Sequence, residues 1–216
     1  MATKLTAAID YEGYALGVSV YTITNPLIED KIIILLLNSE LIDFYYKKKF
    51  ISKHLAGGYI GYNKGQLEQI PIRIPSNQTL FIILADYLLF LNQYYYDRYE
   101  SKKKNNPNIE TIKEYFDDLA NSLVFELYLG EEIGTDITQL VNGRLKEINY
   151  NDWVKLEFKE DITLEEQVER SQLEENNLRV IYDVYKNLDS DRRLQEAMYS
   201  LKFHPMIKTI LGLGDD

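Results

Sequence analysis

Between Phe44 and Pro75 the chain collects Lys47, Lys48, Lys49, Lys53, Lys64 and Arg73 against a single acid, Glu68, a local charge of six minus one, or +5. Aromatic rings are interleaved with these bases. Phe44, Tyr45 and Tyr46 precede the lysine triplet, and Tyr59 and Tyr62 flank Gly61 beside Lys53, His54 and Lys64. Lysines bind phosphate oxygens, while glutamine amides and aromatic rings meet base edges, so the composition suits a nucleic-acid contact. It suits equally a solvated basic face over a small hydrophobic cluster. The rest of the chain sharpens the contrast. Its 216 residues hold 24 bases and 34 acids, net −10. Residues 1–75 carry eight bases and seven acids (+1), and residues 76–216 carry sixteen and twenty-seven (−11). A surface that approaches phosphate belongs in the first part; the second repels it.

Catalytic chemistry finds few residues to work with. Cysteine is absent and the only histidines are His54 and His204, which removes zinc ribbons, cysteine nucleophiles, histidine-rich metal sites and any arguable Ser–His–Asp set. A methyl-donor or nucleotide site on an α/β sheet needs a glycine-rich turn between strand and helix. The one G-x-G, Gly212-Leu213-Gly214, lies at the end of the sequence with no helix after it. Asn25-Pro26-Leu27 begins like the Asn-Pro-Pro-Tyr motif that holds a flipped adenine but lacks its second proline and its ring. The Glu-x-Lys form used by one class of nucleases occurs three times, at Glu29, Glu100 and Glu157, as expected by chance in a Glu/Lys-rich chain. No catalytic residue, cofactor site or metal site is assigned.

The elements that would carry the basic segment read as a mixed first third and a helical remainder. Gly17 to Thr24 alternates and is β-branched, a strand ended by Asn25-Pro26. Leu27 to Leu55 has no Gly or Pro and reads as one helix, acidic at its start and basic at its end, as the helix dipole favours. Gly57-Gly58 ends it, Tyr59 to Asn63 forms a short strand, and Ile70, Ile72 and Ile74 alternate as a second strand that Pro71 and Pro75 confine to an edge. Ser76 to about Lys102 is a long helix, followed by a loop over 103–107. Asn108 caps a helix with the stripe Ile112, Phe116, Leu119, Leu123 and Leu127, ending at Gly130. Residues 131–160 are ambiguous, with Trp153 a core anchor. Thr163 and Glu166 form a capping box for a helix towards Leu188, Ser190 starts another towards Leu201, and His204-Pro205 marks a boundary. The expected fold is α+β: a small mixed-sheet fold in residues 1–79, then a helical bracing region over 80–216. The longest apolar run, Ile32 to Leu37, is far short of a bilayer span, and no signal peptide is evident, so a cytoplasmic protein without membrane contact is expected.

The stretch LLLNSELIDFYYKKKF, followed after a gap by GGYIGYNKGQLEQIPIRIP, resembles the TaqI-like C-terminal specificity domain, the target-recognition part of type II adenine-specific DNA methyltransferases and fused restriction–modification enzymes. EYFDDLANSLVFELYLGEEI and DRRLQEAMYSLKFHPMIKTILG resemble, more loosely, later segments of larger members. The resemblance implies double-stranded DNA as partner and a methyltransferase catalytic domain upstream, which would hold S-adenosylmethionine; this chain itself would be non-catalytic. By position, Asn38, Ser39 and Pro71 are structural. Lys47, Lys48, Lys49, Lys53, His54, Tyr59, Tyr62, Lys64 and Gln66 are the expected DNA-binding residues, the lysines on phosphates and Gln66 on adenine. Two alternatives remain: a fragment of a type I specificity subunit, and an acidic protein-interaction module.

Overall fold

Residues 78–94 are apolar on nearly every face, and such a helix is stable only when surrounded. In the computed structural model, which describes residues 4–13, 17, 20–50, 61–96 and 107–213, this segment is the central helix α4 (Gln78–Tyr94). The others are α1 (Asp30–Leu37), α2 (Glu40–Lys49), α3 (Lys64–Leu67), α5 (Pro107–Ile133), α6 (Ile137–Val141), α7 (Tyr150–Glu157), α8 (Leu164–Asp189), α9 (Arg192–Lys202) and α10 (Pro205–Leu211). α4 packs against α1 and against α5, whose buried Ile112, Phe116, Leu119 and Leu123 are the stripe read from the sequence. One core runs from Ile32 of α1 through α4 and α5 to Ile207 of α10. Trp153 sits in it, its ring 4.7 Å from that of Phe90 in an edge contact. The Tyr87 hydroxyl donates to Lys146 O at 2.5 Å and accepts from Lys146 N at 3.0 Å, tying the α6–α7 connection to α4. Burial pushes that phenol up to about 12.

The expected α+β fold with a mixed sheet is wrong: the described residues form helices and no strand. Residues 20–24 are irregular and exposed, and nothing among the described residues pairs with them as a ladder. Residues 70–75 fail as a strand for a reason visible in their bonds. Pro71 and Pro75 have no N–H to donate, and two of the groups that remain go to a side chain. Tyr128 of α5 donates its hydroxyl to Pro71 O (2.7 Å) and accepts from Arg73 N (3.0 Å). A phenol therefore does for this run what a neighbouring strand would have done. Residues 59 and 60 of the other expected strand lie outside the described residues, and 61–63 are irregular.

The single helix expected over 27–55 is two helices in its described part, and 51–55 lie outside the described residues. Ser39 is extended and its hydroxyl accepts from Ile42 N at 3.3 Å, capping α2, while Asn38 grips Ala7, accepting from its N and donating to its O at 2.9 Å each. Both side chains satisfy backbone locally, the property that breaks helices. Other boundaries move by a few residues. α4 is capped by Asn77, whose side chain accepts from Leu80 N. α5 already includes Pro107 and Asn108, and it passes through Gly130 to Ile133, because the left-handed residue is Gly134 (φ 61°), whose N–H closes on Gly130 O. α9 starts from Asp191, which accepts from Arg193 N and Leu194 N, rather than from Ser190. The Thr163–Glu166 capping box is present, and His204-Pro205 opens α10. No helix among the described residues is long and apolar enough to cross a membrane.

Candidate nucleic-acid interface

The basic segment is built on α2. Its first turn carries Glu40 and Asp43, its last Lys47, Lys48 and Lys49, the charge order that favours a helix. Its inner face buries Ile42 and Tyr46 in a small second cluster with Leu5 and Ile70, flanked by Phe50, Tyr62, Leu67 and Tyr128. The N-terminal run is laid along α2 by Asp43, a buried carboxylate that accepts from Leu5 N at 2.8 Å and pairs with Lys47 Nζ at 2.6 Å. From the other side, Asn121 of α5 accepts from Glu40 N at 2.8 Å. α2 is therefore fixed from two sides in its first turn, before its lysines are reached.

The three lysines are not equivalent. Lys47 is half-buried and engaged by Asp43. Lys48 is exposed, its ammonium 5.5 Å from the Phe44 ring centre. Lys49 is exposed, donates to the Tyr45 hydroxyl at 2.7 Å and lies over the Tyr45 and Phe50 rings at 5.1 and 5.5 Å. Tyr45 in turn donates to Gln69 O at 3.3 Å, linking the end of α2 to the segment after α3. Lys64, at the start of α3, is 80% exposed and 3.7 Å from Glu68, a pair loose enough to yield to a phosphate. Lys53, His54 and Tyr59 lie outside the described residues.

Gln66 and Tyr62 face inward. Gln66 is buried and its amide oxygen accepts from the Tyr46 hydroxyl at 3.0 Å. Tyr62 is half-buried with its ring 5.1 Å from that of Tyr46, and burial, then Asp43 and Tyr46, push its hydroxyl up to about 12. In this state both hold the floor under the lysines, and neither offers a group to a base. Two residues of consequence escaped the sequence reading. Asp43 was legible from its i, i+4 spacing to Lys47. Arg73 was counted in the charge but given no role; it is exposed, with Nη1 on Leu127 O (3.3 Å) and Tyr128 O (3.1 Å). Lys48, Lys49 and Arg73 have no carboxylate partner among the described residues. No cluster of three or more metal-ligating side chains occurs among those residues.

Residues 1–72 match the family model of the TaqI-like C-terminal specificity domain, 72 of 216 residues, or one third of the chain. No curated protein and no solved structure matches the chain. The resemblance read from the 35–75 stretch is borne out over the matched residues; the two looser resemblances, at 114–133 and 191–212, lie beyond them. The matched domain supplies specificity rather than catalysis, and its setting is DNA recognition in restriction–modification.

Proposed function

We propose that the chain is the sequence-reading portion of an adenine-specific DNA methyltransferase, or of a fused restriction–modification enzyme, with double-stranded DNA as its ligand. One observation carries the reading. In a protein of net charge −10, six bases face one acid between Phe44 and Pro75, and of these Lys48, Lys49 and Arg73 are exposed with no carboxylate partner among the described residues, on a backbone fixed by Asp43, Asn121 and Tyr128. Lys48, Lys49 and Lys64 meet phosphates, while Lys47 is a reserve contact held back by its pair with Asp43. Lys53, His54 and Tyr59 are further proposed contacts by their place in the sequence alone.

Gly134 and Gly143, both at positive φ, stand in helix–helix connections with no strand leading into either, which supports placing the methyl-donor turn outside the described residues. In this reading the methyl donor and the flipped adenine belong to an upstream catalytic domain. Residues 80–216 brace 1–79 from behind, keeping their −11 away from phosphate.

The experiment is titration of the full chain with duplex DNA from 0.05 to 0.3 M salt. Affinity is expected to fall with a log–log slope of about −3 to −4, from roughly four phosphate contacts at about −0.9 each. A salt-independent affinity, or none at low salt, overturns the reading in favour of an acidic protein-interaction module.

A further inference from the structure

We infer that Arg73 reads a guanine in the major groove and that Tyr128, on the helical half, is the positioning residue that aims it; this rests on the DNA-recognition reading above. The guanidinium is held in place before any ligand arrives. Tyr128 fixes the backbone leading into it, donating to Pro71 O and accepting from Arg73 N. The same ring lies under the side chain, 5.5 Å from the guanidinium carbon to the ring centre. Nη1 donates to two carbonyls of α5, Leu127 O and Tyr128 O. Burial raises the Tyr128 phenol while Arg73 opposes the shift, so the hydroxyl stays protonated and keeps its donor role.

What is left over is the other edge of the fork. Nε and Nη2 make no bond among the described residues, no carboxylate neutralises the charge, and the residue is exposed. A planar donor pair matches the O6 and N7 acceptors of guanine, and this is the commonest bidentate contact to a base edge. A phosphate needs only charge, which a flexible lysine supplies; holding an arginine rigid serves geometry. Proline on both sides of the Ile72–Ile74 tripeptide and a tyrosine clamp amount to more restraint than a point charge requires.

The test is selection on a duplex library with a randomised central segment, using the full chain as wild type, Arg73→Ala, Arg73→Lys and Tyr128→Phe. The wild type is expected to enrich a site containing a G·C pair. Arg73→Ala is expected to lower the preference at that one position by about 5- to 150-fold. Arg73→Lys keeps the salt slope but does not restore the preference. Tyr128→Phe relaxes the same position and no other, with thermal unfolding of all variants checked alongside. If Arg73→Lys retains every positional preference, Arg73 is at most a phosphate contact and the inference is wrong while the DNA-recognition reading stands. Wild-type binding without sequence enrichment also overturns it. If the wild type does not bind DNA at all, the recognition reading fails and takes this one with it.

Discussion

Asp43→Asn separates what holds α2 from what α2 does. The asparagine keeps an oxygen for Leu5 N but loses the charge that makes the 2.8 Å bond strong, and it releases Lys47 from its 2.6 Å pair. Replacing a charged acceptor with a neutral one costs about 1 kcal/mol. Losing the pair to a partly exposed lysine costs ~0.5 kcal/mol. Losing an acid from the first turn of the helix costs another ~0.5 kcal/mol. The sum is about 2 kcal/mol, or a melting point lower by roughly 4–8 °C for a chain of this size. DNA binding is expected to move the opposite way. Net charge changes from −10 to −9, and Lys47 becomes available to a phosphate. One added contact steepens the salt slope by about 0.9, which extrapolated from 1 M corresponds to roughly eightfold tighter binding at 0.1 M salt. Urea unfolding gives the first quantity and fluorescence anisotropy on a labelled duplex the second. If the variant is destabilised and its affinity falls with an unchanged slope, Lys47 makes no phosphate contact and the lysine end of α2 does not face DNA.

Three further outcomes are expected. The double replacement Lys48→Ala and Lys49→Ala should flatten the salt slope by about 1.8, two contacts at about 0.9 each, and shift urea stability by less than ~0.5 kcal/mol per site, since both side chains are exposed. Glu166, held down to about 2 by Lys159 first and then by Thr163 N, stabilises the fold above its ordinary carboxylate range, and that contribution is lost as pH falls through about 2. The stability gap between wild type and Glu166→Gln should therefore be widest above pH 5 and close towards pH 2; a gap that stays constant would show that the Lys159 pair adds nothing. Residues 1–79 expressed alone should lack cooperative unfolding, because Ile32, Leu35 and Leu36 of α1 are buried in the core shared with α4; a monomeric piece with an unchanged melting profile would contradict bracing by the helical half.

Legibility in the sequence followed the range of the interaction. The capping box at Thr163 and Glu166 was readable because both partners lie within one turn, and the α5 stripe because its period repeats. Trp153 was readable from its size. The break at Asn38-Ser39 was half visible: Ser39 precedes Glu40 and Asp43, a helix-start signature, but it sat inside an apolar run that read as continuous. The missing sheet lay beyond local pattern altogether. Ile70, Ile72 and Ile74 alternate as a strand does, but the partner of the intervening Pro71 O and Arg73 N is one phenol 57 and 55 positions away. The same holds for the site. Charge located the basic window, but whether Gln66 points out or under Tyr46 is a tertiary fact, and period alone does not carry it.

Those long-range ties also bear on why a specificity segment should be followed by so much helix. Hydrogen bonds join the matched part and its edge to α5: Glu40 N to Asn121, Pro71 O and Arg73 N to the Tyr128 hydroxyl, and the Arg73 guanidinium to the carbonyls of Leu127 and Tyr128. α5 is itself pinned by α9, with the Gln195 amide donating to Tyr115 and Lys202 paired with Asp118 at 2.7 Å. The segment after α3 has neither ladder nor helix of its own, so its geometry is only as definite as the helix it leans on. A base-reading side chain misplaced by an ångström loses its bidentate bond, whereas a phosphate contact tolerates the error. The depth of packing behind α5 is thus matched to what the 70–75 run has to do, and substitutions in that packing should show first in which bases are chosen and only later in how tightly DNA is held.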